Sequence, residues 1–285
     1  MVSRSAFSLA PGIAAAVALG VSDVLAKIII AAHCDVLTML SFRSVFGLVF
    51  MTVWLRIGPP PFVNARIRWI SVAVGVLFAA LIYCLFKAIE ANDVPTAVLT
   101  YFVYPLLTGI AASATGLERL RWQGFACALA AFVGLAIMIG AHPAGLVLAG
   151  IAYAVGAALF RVGVLIVTRA FLFGADARLT TWYSVAAQLV IFVAVSFATQ
   201  TWQPPVTAGG WAALIAMSVA TTAGILFVFL STVGVGPFRT ALIMNLEPLI
   251  AMVLSAFVLG EIITPLQAAG SGIMLAALVA FQLWR

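Results

Sequence analysis

Long apolar stretches alternate with short breaks along the whole chain, ten times over. The stretches lie near 9–32, 36–56, 69–90, 95–115, 122–141, 146–168, 179–200, 211–232, 239–260 and 265–284. Each holds roughly 20 residues, enough for an α-helix to cross a hydrocarbon core of about 30 Å. Pro and Gly punctuate the breaks: "GPPP" at 58–61, "NDVP" at 92–95, "AHPAG" at 141–145, "QPPV" at 203–206 and "GVGP" at 234–237. No break is long enough for a soluble domain. The short alternating segments of an outer-membrane barrel are absent. The pattern predicts an all-α integral membrane protein with ten transmembrane helices.

Composition agrees. The chain is 65% hydrophobic and 8% charged, where a soluble domain carries about 25% charge. The net charge of +6 does not point to nucleic acid, because the basic residues flank apolar spans instead of clustering. Cys84 and Cys127 fall within spans and Cys34 in a short loop, so neither a disulfide framework nor a metal spacing emerges. Arg4 followed by an apolar run resembles a signal peptide. The run continues to Ala32 with Asp23 and Lys27 inside it, so a retained first helix is predicted.

Lys and Arg in the loops set the expected orientation. With the N-terminus in the cytoplasm, Arg4, Arg56, Arg66, Arg68, Arg119, Arg121, Arg169, Arg178, Arg239 and Arg285 all lie inside. Asp35, Glu90, Asp93 and Glu261 lie outside, and both termini are cytoplasmic.

The second half repeats the first at an offset of roughly 142 residues. Trp69 aligns with Trp211 and Pro95 with Pro237. "YFVYPLLTG" (101–109) aligns with "MNLEPLIAM" (244–252), and Glu118 and Gln123 align with Glu261 and Gln267. The expected units are residues 1–142 and 143–285, five helices each, within one membrane domain. An odd number of spans turns the second half upside down. Inverted repeats suit a transporter, whose halves can open a central site to either side.

Charges inside spans are costly, about 2.5–3.5 kcal/mol at mid-bilayer on insertion scales, and are candidate site residues for that reason. Glu247 stands beside Pro248, which must break its helix. With Asn245 it would form a polar patch for a proton, an ammonium group or a neighbouring donor, or else serve as a hydrogen-bonded brace. Tyr101 and Tyr104, with Thr108, share one face of a continuous helix, and Pro105 matches Pro248. Tyr83 and Phe86 in the third span join the aromatic set; rings can sandwich a flat substrate and attract a cation. Asp23 and Lys27 stand at i and i+4 and can pair with each other. Arg43 and Arg161 are single charges that would meet a substrate carboxylate or one of these acids. Lys87 lies near a span end and can snorkel to water. Pro105 and Pro248 are the expected hinges.

Enzymatic motifs are missing. There is no H-E-x-x-H, G-x-S-x-G or G-x-x-x-x-G-K-[ST], and the two histidines, His33 and His142, fall in outer loops. Neither an enzyme nor a bound cofactor is expected, and nucleotide-driven transport has no support.

"NLEPLIAMVLSAFVLGEIITPLQAAGSGIMLAAL" (245–278) closely resembles the C-terminal signature of the drug/metabolite transporter superfamily, EamA type, through Glu247-Pro248, Gly260-Glu261, Gln267 and Gly270. "YFVYPLLTGIAASATGLERLRWQG" resembles its counterpart in the first repeat. The resemblance covers the whole chain. Within the family, the aromatic run before Pro105 looks most like the bacterial exporters of aromatic amino acids. That implies efflux across the inner membrane through a central cavity, with an amino acid and the lipid bilayer as partners. The chain departs from the family pattern in carrying Tyr104 rather than a carboxylate at the first repeat's proline site. On this reading Tyr83, Phe86, Tyr101 and Tyr104 hold a ring, while Asn245, Glu247 or Arg161 meets the polar end. Efflux of lipophilic cations with Glu247 as counter-ion is the alternative within transport. A structural or receptor subunit that moves nothing is the alternative outside it.

Overall fold

The computed structural model describes residues 2–58, 60, 64–119, 121–140 and 147–283, with side chains from Leu9 onward. Part of the expected turn at 58–61 and all of that at 141–145, with His142, Arg285 and the side chain of Arg4, lie outside the described residues.

Among the described residues twelve helices follow one another: α1 (Val2–Ala31), α2 (Val36–Ile57), α3 (Ala65–Ala91), α4 (Val94–Tyr101), α5 (Tyr104–Ala114), α6 (Trp122–Ile139), α7 (Leu148–Phe171), α8 (Ala177–Thr199), α9 (Ala208–Val235), α10 (Pro237–Ile243), α11 (Leu246–Leu259) and α12 (Pro265–Leu283). They make ten membrane spans, because α4–α5 and α10–α11 are single spans broken in the middle. The breaks are where the halves correspond, in the fourth and ninth spans. The chain is thus an all-α, multi-pass membrane protein of two inverted five-helix repeats.

Local chemistry sets the helix ends. Asp35 caps α2 through the Thr38 amide at 3.1 Å, Asn64 caps α3 through Arg66 at 3.1 Å, and Thr207 caps α9 through Gly210 at 3.0 Å. Asp176 caps α8 through Arg178 and also pairs with the Arg178 guanidinium at 2.7 Å. That side-chain hydrogen bond holds the Asp176 carboxyl below the ordinary carboxylate range.

Most of the principal helix pairings join one half to the other. α1 packs on α9 and α11; α7, its counterpart, packs on α3 and on α4–α5. α2 meets α8, and α6 meets α12, each helix facing its own repeat partner. The halves interleave and share one interior. Polar side chains inside it are satisfied at short range, as hydrocarbon demands. Many hydroxyls return to the carbonyl four residues back, among them Ser44, Ser71, Thr108, Ser218 and Thr232. Others bridge helices: Ser22 to Thr221 at 2.6 Å, Ser41 to Ser196 at 3.3 Å, and Trp182 Nε1 to Thr52 at 2.9 Å.

α6 and α12 touch backbone to backbone. A Cβ on Gly134 would lie 2.7 Å from the Met274 nitrogen and 2.8 Å from the Gly270 oxygen, and one on Gly270 would collide with Met138 and Gly134 in turn. Only hydrogen fits at either position. Gly134→Val should therefore force the helices apart and lower the apparent melting temperature in detergent, at an overpacking cost of about 1–3 kcal/mol. Gly272→Val on the same helix α12, where a Cβ meets open space, should leave it unchanged. Equal melting curves for the two variants would refute the close contact.

Candidate functional site

Proline makes both breaks. Pro105 is the second residue of α5 and Pro248 the third of α11. Each lacks an N–H, and its ring collides with the carbonyl four residues earlier, at Tyr101 and Met244 respectively. The turns fall at equivalent positions of the repeat, Phe102–Val103 and Met244–Asn245. Tightened bonds satisfy part of the broken backbone: the Glu247 amide donates to Met244 at 3.0 Å, and the Val103 amide to Thr100 at 3.3 Å. Phe102, Met244 and Asn245 are all buried, as irregular backbone at membrane depth requires.

Beside the breaks lies a cavity of about 410 Å³. Tyr101 and Phe102 reach it from the first broken span, and Glu247, Pro248, Ala251, Met252 and Ser255 from the second. Asp23, Val24 and Lys27 form its α1 wall, and Met138 and Ile139 its α6 wall. The wall is mostly apolar, with polar groups at two levels. Asp23, Tyr101 and Glu247 lie deep, whereas Lys27, Glu261 and Gln267 stand toward the mouth. Val94, Pro95 and Glu261, which begin or connect helices on one face of the bundle, also line the cavity. The cavity therefore opens to the face that carries Glu261. Asp23 is accessible at its surface although protein encloses it, the combination expected of a side chain facing an internal hollow.

Four charges converge here. Glu247 and Asp23 act electrostatically on each other, Asp23 on Arg43, and Glu247 on Arg161. Two acids against two guanidiniums leave the set formally neutral. Neither acid makes any of the ion pairs found among the described residues, which are Lys27–Glu261, Lys87–Glu90, Arg178–Asp176 and Arg239–Glu118. The carboxylates are accordingly balanced at a distance and still face the hollow. Arg161 is 4% exposed. Its guanidinium carbon lies 5.6 Å from the Tyr104 ring and 5.7 Å from the Phe78 ring, a cation–π sandwich. Its Nε has no hydrogen-bond partner among the described residues. It acts from behind the wall.

The structure rearranges several sequence expectations. Asp23 and Lys27 do not pair. Lys27 Nζ reaches outward to Glu261 at 2.8 Å and Ser255 at 3.2 Å, because a lysine gains more at the wetter mouth than deep in the protein. Tyr101 and Tyr104 do not share a face, since the helix breaks between them and its periodicity does not carry across. Tyr101 lines the cavity, while Tyr104 is 1% exposed behind it, ring centroids 5.2 Å apart. Asn245 does not join Glu247 in a polar patch; its amide braces the Leu242 carbonyl at 3.1 Å and it is buried. Tyr83 is 49% exposed and does not line the cavity. Phe86 packs among Leu40, Ala79 and Phe192, between α2, α3 and α8. Arg43 is buried near Asp23 and does not line the wall. Lys87 pairs with Glu90 at 2.6 Å near its span end.

Sequence reading missed Met138, Ser255 and Gln267 as wall residues. One signal was available. Glu247, Ala251 and Ser255 stand at i, i+4 and i+8, one face of α11, and all three line the cavity.

Comparison with known proteins bears on what such a bundle does. No curated protein matches the sequence. A solved crystal structure superposes with a TM-score of 0.83 at 14% identity, covering 97% of this chain and 99% of that one; at that identity the likeness establishes the fold alone. The profile of the EamA-like transporter family matches twice, over residues 7–140 and again over 148–281, one match per five-helix repeat. With both repeats matched across nearly the whole chain, the protein belongs to the EamA-like transporter family, whose members are membrane transporters.

Proposed function

We propose that this transporter exports aromatic or other neutral amino acids across a bacterial inner membrane, by alternating access to the cavity beside its two broken spans. One observation carries the reading: Tyr101 and Phe102 from one half and Glu247 from the other line a single hollow, with Asp23 beside them. The amino group of the substrate would lie between Asp23 and Glu247, and its ring against Tyr101 and Phe102. Lys27, the one basic residue among the described wall residues, would meet the carboxylate near the mouth. Arg161 and Tyr104 position Tyr101 and Glu247 from behind. Pro105 and Pro248 are the points about which the spans flex. The basic residues collect on one face and the acids Asp35, Glu90, Asp93 and Glu261 on the other. For the loop arginines, this segregation supports cytoplasmic termini and a cavity that opens outward.

A second reading is efflux of lipophilic cations. It is favoured by one specific observation, that both deep charges on the wall are acidic while the arginines stay behind it. Purified protein in liposomes, loaded with labelled tryptophan and challenged with a lipophilic cation, separates the two. Tryptophan flux that the cation inhibits supports the first reading; movement of the cation alone replaces it with the second. No flux of either would leave a non-transporting membrane subunit.

Glu247→Gln should insert and purify normally while losing most of its flux or shifting the pH dependence of that flux. Unchanged flux across the pH range would reduce Glu247 to a helix brace. Tyr101→Ala should raise the half-saturating tryptophan concentration about tenfold, matching a lost ring contact of roughly 1.5 kcal/mol. Tyr83→Ala should leave it unaltered. The opposite ranking of the two tyrosines would place the ring site elsewhere.

A further inference from the structure

On the face opposite the cavity mouth, the Glu118 carboxylate bridges the two halves. Glu118, in the loop between α5 and α6, accepts the Phe238 amide on Oε2 at 3.0 Å. Its Oε1 lies 3.6 Å from Arg239 Nε. It thereby caps the first turn of α10, where the second half's broken span begins. Gly236 precedes that turn at φ 101°, and a Cβ there would lie 2.5 Å from Glu118 Oε2. Backbone and space both require glycine. Arg169, at the end of α7, donates to the Val233 carbonyl and adds its charge to Glu118. Burial pushes the Glu118 carboxyl up from its ordinary range in spite of these donors.

The same parts stand on the other face, unassembled. Glu261 is the repeat counterpart of Glu118. Val94 and Pro95 are the counterparts of Gly236 and Pro237, and Lys27 is that of Arg169. Among the described residues, Glu261 makes no hydrogen bond to the start of α4. Lys27 holds both its oxygens, at 2.8 and 3.0 Å. The start of α4 has no side-chain cap, because the Asp93 carboxylate makes no capping hydrogen bond. Val94, Pro95 and Glu261 instead border the open cavity. In each half the glutamate approaches the basic residue on the first helix of the opposite half. The two faces differ in whether the glutamate also reaches a helix start.

We infer that Glu118 and Glu261 are paired gate latches: Glu118 on α10 holds one face shut while the other is open, and closing the open face moves Glu261 from Lys27 onto the start of α4 at Thr96. The inference rests on the alternating-access reading above but is independent of the substrate. Each latch is a carboxylate capping a helix with proline in its first two positions, where the first amides have no partner within the helix. Inverted symmetry makes the two closures equivalent, so breaking one latch shifts the population toward the state held by the other.

The test reads conformation without flux. In a chain whose native cysteines are replaced, Ala251→Cys on the cavity wall is labelled with a membrane-impermeant maleimide from either side of the membrane. The parent should label from the Glu261 face. Glu118→Ala should raise labelling from the Glu118 face about tenfold, equivalent to roughly 1.4 kcal/mol. A second cysteine pair, Val94→Cys with Ile262→Cys, should cross-link faster in the Glu118→Ala chain than in the parent. If Glu118→Ala does not purify as a folded protein, Glu118→Gln is used, which keeps the side chain's size and removes its charge from Arg239. Folded variants with labelling and cross-linking like the parent's would overturn the latches. A shift in labelling without tryptophan flux would uphold the latches and discard the amino-acid reading.

Discussion

Hydrocarbon offers no partner to a backbone amide or carbonyl, so a break in a membrane helix is tolerated only where protein or water completes it. Two prolines at equivalent places in two inverted halves impose two such breaks on this chain. Both have to face inward, and the helices around them are drawn into one shared interior. α1 and α7, the first helix of each half, pack against the broken span of the other half. The carboxylate beside Pro248, the ring pair before Pro105 and the acid on α1 consequently meet at the same depth. Polarity that would be prohibitive on a lipid-facing surface becomes affordable around a wet hollow.

The balance of charge follows from that placement. A lone carboxylate in a low-dielectric interior is expensive, and one locked into a tight ion pair is unavailable to a ligand. Here Arg43 and Arg161 sit behind the wall, close enough to act on Asp23 and Glu247 and outside pairing distance. Arg161 is held between Phe78 and Tyr104, which fixes its position without consuming its charge on a carboxylate. The acids stay available to an incoming ammonium group or proton. Lys27, on the same helix as Asp23, is engaged at the mouth instead.

Much of the fold was legible because its determinants are local or repeated. Ten apolar runs, loop prolines and glycines, and the landmarks Trp69/Trp211 and Pro95/Pro237 define ten spans in two halves. Proline chemistry points to the breaks at Pro105 and Pro248, although Pro11 sits inside the unbroken α1. The site was legible only in part. Glu247, Asp23 and Tyr101 are drawn to the cavity by features visible in sequence, namely a buried charge or proximity to a break. Tyr104 and Asn245 adjoin those same breaks, yet the turn rotates them into packed protein, and a turn's rotation is not encoded in helical periodicity. Tyr83 and Phe86 share a helix with the wall residue Leu85 but lie on other faces, which depends on how α3 packs against α7 and α8. Lys27 was misassigned because its partner, Glu261, is distant in sequence and adjacent only after the halves interleave.

The most direct measurement is a cryo-electron-microscopy map of the protein in lipid nanodiscs with saturating tryptophan. Density between Tyr101, Asp23 and Glu247, with the two broken spans meeting at its edge, is the expected result. A map in which that region is packed solid and tryptophan sits against Tyr83 on α3 would contradict the convergence of both halves on one hollow.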